Sequence, residues 1–151
     1  MITQDFYLPM YGAWHIKVFY ATSPTKSWLV IKELQKVGCS GSDLSRAIDN
    51  LEDGNLNTGL TYSNYHAKET VMVVSSASSP AQFLNSWVHE MLHLCRHISS
   101  YFDIDPYGEE SAYLLGMVAQ KMYPVAKNFI CEHCCGLSIP PKTLLMTGYS
   151  F

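Results

Sequence analysis

Residues 79–99 read SPAQFLNSWVHEMLHLCRHIS. The first four have the form of a capping box with proline at the first helical position, in which a serine hydroxyl accepts from the backbone three residues on. This stretch therefore predicts a helix from Pro80 to about Ser99. Leu84, Val88, Met91, Cys95 and Ile98 recur at spacings of three and four along the side expected to be buried. On the same helix stands His89-Glu90-Met91-Leu92-His93, the pattern H-E-x-x-H. Histidines four apart share one helix face, so both imidazoles can reach one Zn2+ at about 2.0–2.1 Å, with the glutamate beside the place of a metal-bound water. His97 continues the series but lies two turns from His89, about 12 Å along the axis, too far to share that ion.

Upstream, residues 13–22 form an aromatic and β-branched run whose Trp14, Ile16, Val18 and Tyr20 fall on one face of a strand. Ser23-Pro24 marks a helix start, Gly38 its end, and a second helix carries Leu44, Ala47, Ile48 and Leu51 at helical spacing. Residues 58–64 and 70–74 read as a β-hairpin around Tyr65, His66, Ala67 and Lys68. Downstream, Asp105-Pro106 repeats the cap-and-proline signal and opens a long helix to Met122, bent or ended by Pro124, with a short continuation toward Ile130. The expectation is one α+β domain over residues 1–151: a short, mostly antiparallel sheet of about three strands packed against the H-E-x-x-H helix and further helices. Its parts are residues 1–57, a central core at 58–123 and an extension at 124–151.

Composition limits the function classes. With 151 residues, 48% hydrophobic and 15% charged, the chain can bury a core and is not of disordered type. A net charge of −3 lacks the basic field that phosphate backbones select, so nucleic acid is not an expected partner. Asp5 stands where a signal peptide would be basic, and no run approaches the ~20 apolar residues of a membrane span. A cytoplasmic protein with no membrane partner is expected. Five cysteines is an odd number, and Cys39 and Cys95 stand apart from Cys131, Cys134 and Cys135, which favours free thiols over a disulfide framework. Cys131-Glu132-His133-Cys134-Cys135 offers one C-x-x-C and a histidine, where structural zinc commonly uses two such knuckles.

Across residues 58–122 the sequence resembles the gluzincin metallopeptidases in their smallest single-domain form. The resemblance rests on the strand–turn–strand, the H-E-x-x-H helix, and a following helix with E-x-x-A-Y as Glu109-Glu110-Ser111-Ala112-Tyr113. It is similar to small metallopeptidases of phages and mobile elements that cleave repressors. The longer H-E-x-x-H-x-x-G-x-x-H class is excluded, since Ser99 stands where its third histidine would be. The resemblance implies zinc held by His89, His93 and Glu109, with Glu110 as the alternative third ligand, and an edge strand whose Leu60, Thr61 and Tyr62 bind extended substrate. Tyr113 occupies the place where thermolysin-like members carry an aspartate that orients a zinc histidine.

The expected function is zinc-dependent hydrolysis of a peptide bond in an extended peptide or a specific protein. Metal-bound water would lose a proton to Glu90, and Tyr113 is the first choice for the oxyanion donor, ahead of Tyr107, His97 and His66. The alternative is a catalytically silent, zinc-stabilised interaction module that uses the same sheet edge.

Overall fold

A computed structural model of the chain describes residues 1–54, 56 and 58–130. β1 (Ile2–Leu8) and β2 (Trp14–Thr22) form an antiparallel pair, joined through a short 3-10 turn at Pro9–Tyr11. A second 3-10 turn, Pro24–Lys26, leads into α1 (Ser27–Lys36) and then α2 (Gly41–Glu52). The hairpin follows as β3 (Gly59–Asn64) and β4 (Glu69–Ser75), and the chain continues into α3 (Pro80–Phe102) and α4 (Glu109–Ile130).

The sheet has four strands in the order β1-β2-β4-β3, with β2 and β4 parallel and both outer pairs antiparallel. β2 and β4 are parallel because β3 intervenes between them in the chain. Helices α1 and α2 return the chain to the end of the sheet where β2 stops; β3 starts there and runs antiparallel, and β4 turns back along it. The α+β class agrees with the sequence reading, but the expected three strands become four. Residues 2–8 escaped notice because their pattern is weak: at the sheet edge only Phe6 and Leu8 are buried, and Ile2 is exposed.

Both faces of the sheet are covered. Trp14, Ile16, Val18 and Tyr20 of β2, with Met72 and Val74 of β4, pack under α3 and α4. Phe19, Val71 and Val73 point the other way, against Val30 and Leu34 of α1 and Ala47 and Leu51 of α2. This explains the unbroken apolar run Val71–Val74, since a strand buried on both faces has no polar side to show. Trp14 adds a polar tie, its indole N–H donating to Thr70 Oγ1 at 2.9 Å.

Ser79 caps α3 as its spacing predicts, its hydroxyl accepting from Gln82 N at 3.2 Å. The Gln82 side chain reaches one residue further back than a capping box requires, accepting from Ser78 Oγ at 2.7 Å. The buried side of α3 is Phe83, Trp87, Met91, Leu94, Cys95 and Ile98. Leu84 and Val88, expected inside, are 44% and 46% exposed, so the helix is rotated from the orientation its apolar spacing suggests.

The start of α4 differs too. Asp105 Oδ1 accepts from Tyr107 N at 2.9 Å and its carbonyl from Gly108 N at 3.1 Å, which makes residues 105–108 a turn and delays the helix to Glu109. Pro124 lies within α4 without ending it, because Met122 and Ala126 are buried on either side of it and hold the turn in place. No helix among the described residues is long and apolar enough to cross a membrane.

Candidate functional site

A buried polar cluster lies where α3 crosses the first residues of β3. Glu90 is 2% exposed, and its two carboxylate oxygens accept from different hydroxyls: Oε1 from Thr58 at 3.0 Å and Oε2 from Thr61 at 2.7 Å. Those hydrogen bonds offset the cost of taking a carboxyl group out of water. Gly59 permits the approach. A Cβ there would collide with the Val73 carbonyl oxygen and stand 2.8 Å from Glu90 Cγ.

His89 and His93 project from the same helix toward solvent, their Nε2 atoms 3.0 Å apart, so that one ring donates and the other accepts. The i, i+4 spacing thus brings the two rings together as the pattern implies. Glu109 does not join them. From His93, α3 continues for nine residues, about 14 Å, before the chain turns toward Glu109 at the start of α4. Glu110 acts electrostatically on the Tyr11 hydroxyl, and the Tyr11 ring packs on Phe102, the last residue of α3. Among the described residues, no group of three or more His, Cys, Asp and Glu side chains is arranged to hold a metal ion. The expected zinc cofactor on His89, His93 and Glu109 is therefore corrected, and with it the resemblance to gluzincin metallopeptidases. The cysteine cluster at 131–135 lies outside the described residues.

The other candidates are dispersed. Tyr113 is 71% exposed on α4, Tyr107 is 97% exposed in the preceding turn, and His66 is exposed in the hairpin turn. His97 is half-buried against β3: its Nδ1 is 2.9 Å from Ser63 Oγ, and its ring meets Tyr65 edge-on at 5.7 Å. Burial holds this imidazole below its ordinary value, with His93 adding to the effect.

Leu60, Thr61 and Tyr62 lie on β3, an outer strand of the sheet. No other strand among the described residues pairs with its outer side. Ser75 N donates to Thr58 O at 3.1 Å, and the alternation of antiparallel pairing from that point sets the direction of every group along β3. Leu60, Tyr62 and Asn64 bond inward to β4, leaving the N–H and C=O groups of Gly59, Thr61 and Ser63 aimed outward. Of the three edge residues named from the sequence, Thr61 offers its backbone to the open side, while Leu60 and Tyr62 offer side chains.

A groove of about 620 Å³ follows this edge. One wall comes from Leu34 and Ala47 together with Leu60 and Tyr62, and the other from Thr61, Ser63, Tyr65 and His97. Asp43 and Arg46 of α2, hydrogen-bonded at 2.6 Å, stand on the α2 side. Burial pushes the Tyr62 hydroxyl up, with Cys39 and Asp43 adding to it, so it remains a protonated donor beside the groove. Sequence reasoning missed Thr58, Gly59, Ser63 and the α2 residues, since nothing in linear spacing tells which hydroxyl meets Glu90 or which helix borders the edge. Comparisons with known protein families, with curated proteins and with solved structures find no match to this chain.

Proposed function

We propose that the protein is a peptide-binding module that takes an extended segment of a partner onto β3 by strand addition. The observation that carries this reading is the outward row of backbone groups at Gly59, Thr61 and Ser63 lying in a groove between α2 and α3. An unpaired strand edge is a template for another chain, and main-chain hydrogen bonds supply affinity without demanding one sequence. The groove volume is within the range of about 300–1,000 Å³ usual for ligand clefts. Binding is favoured over turnover because the Glu90 carboxylate lies beneath the surface with both oxygens accepting from threonine hydroxyls.

The test uses peptides selected from a displayed random library against the folded protein, then resynthesised with N-methylated amides. In strand addition, alternate amides of the bound segment face β3. Methylating one alternate set abolishes binding and methylating the other leaves it within about threefold, while mass spectrometry recovers the peptide uncut. Equal sensitivity of the two sets overturns the reading.

A further inference from the structure

We infer that a cavity between α3 and α4 binds a small organic carboxylate with an apolar body, of the medium-chain fatty acid class. The cavity measures about 510 Å³, within the range of about 300–1,000 Å³ usual for ligand clefts, and shares no lining residue with the groove at β3. Leu92 of α3, Leu115 of α4 and Ile104 of the connection between the helices give it apolar walls. Its rim is tied in place by the protein's own hydrogen bonds. Ile104 N donates to Ser99 O at 2.9 Å, and the Ser111 hydroxyl lies 3.0 Å from Pro106 O and 2.9 Å from Gly108 O. The turn leading into α4 is thereby fastened to both helices, so less ordering remains for a ligand to impose.

Charge selects the head group. Among the described residues, Arg96 is the only charged side chain that lines the cavity, and it has neither an ion pair nor a hydrogen-bond partner. Arg46 in the β3 groove, by contrast, is hydrogen-bonded to Asp43 at 2.6 Å. Asp105, in the turn beside the cavity, is already accepting from Tyr107 N at 2.9 Å. A carboxylate matches the planar fork of a guanidinium, an ammonium is repelled by it, and an uncharged head gains little from it. A bare anion such as acetate leaves Leu92, Ile104 and Leu115 facing water and forfeits the burial of an apolar chain.

The experiment titrates the full chain by calorimetry with octanoate, octanol, octylamine and acetate. Octanoate is expected to bind with a dissociation constant below about 1 mM, and each of the others about tenfold or more weakly. Arg96→Gln is expected to lower octanoate affinity to that of octanol. Ala112→Trp, at an exposed position on the cavity wall, is expected to abolish octanoate binding by filling the space. Circular dichroism and thermal unfolding confirm that both variants remain folded. Equal binding of octanoate and octanol, octanoate affinity insensitive to either variant, or no octanoate binding at about 1 mM each overturns the inference. Tighter binding of acetylated glycyl-glycyl-leucine than of octanoate makes the occupant a peptide C-terminus and overturns the fatty acid.

Discussion

Thr61 donates its hydroxyl hydrogen bond to Glu90 Oε2 at 2.7 Å, tying the middle of α3 to the outermost strand of the sheet. This contact joins a residue that the sequence presents as a catalytic base to one that it presents as part of a binding edge. Thr61→Val keeps the shape and removes the donor, so it is expected to lower unfolding free energy by about 1–3 kcal/mol in urea titrations. Glu90→Gln retains an acceptor for one threonine and is expected to cost less than Glu90→Leu, which leaves both hydroxyls without it.

Gly59→Ala tests the close packing of β3 beneath α3. The added methyl meets the Val73 carbonyl and the Glu90 side chain, and the backbone cannot yield without opening the first pair of the hairpin. A loss of about 1–3 kcal/mol is expected, the usual range for overpacking, measured as a lowered denaturation midpoint at unchanged slope.

His97 predicts a pH dependence. Its folded value is below the ordinary 6.5, so the unfolded chain takes up the proton first as pH falls. The stabilisation from keeping this ring neutral is complete above pH 6.5 and is lost as pH drops through the folded value. Urea titrations at pH 7.5 and at steps down to pH 5 are expected to show a steeper decline for the natural protein than for His97→Gln. Parallel declines would place the sensitivity elsewhere.

The rotation of α3 separates two leucines that look equivalent in sequence. Leu84 is exposed and Leu94 is fully buried, so Leu84→Ala is expected to change stability by no more than about 0.5 kcal/mol and Leu94→Ala to reduce it by about 2–5 kcal/mol. Thermal and chemical denaturation of the pair reports directly on which side of the helix faces the core.

Loss of the α3 cap is expected to be modest and local. Ser79→Ala removes the acceptor for Gln82 N and is predicted to cost about 1 kcal/mol, with hydrogen exchange quickening in the first turn of α3. Peptide affinity at β3, more than two helical turns away along α3, is expected to remain unchanged.

Much of the secondary structure could be read directly. The alternation from Trp14 to Tyr20, the cap at Ser79 and the hairpin around Tyr65 are local signals, set by neighbours within a few residues and by fixed helical and strand periods. Three features were not legible. β1 depends on pairing with β2, the orientation of α3 on what the sheet and α4 offer it, and the start of α4 on an aspartate turn that resembles a helix cap.

His89, Glu90 and His93 mark the limit of linear inference. Their spacing determines that two imidazoles share a helix face with a carboxylate between them, because an α-helix returns to the same side about every four residues. Whether a third donor meets them depends on where α4 is placed, and among the described residues no third His, Cys, Asp or Glu joins them in a group that could hold a metal ion. The sequence by itself determined the helices, the hairpin and the side-by-side histidines. Tertiary structure decided that Glu90 is buried under two threonine hydroxyls and that the backbone of Thr61 faces an open groove, since both depend on residues about 30 positions apart being brought into contact by the packing of a helix on a sheet.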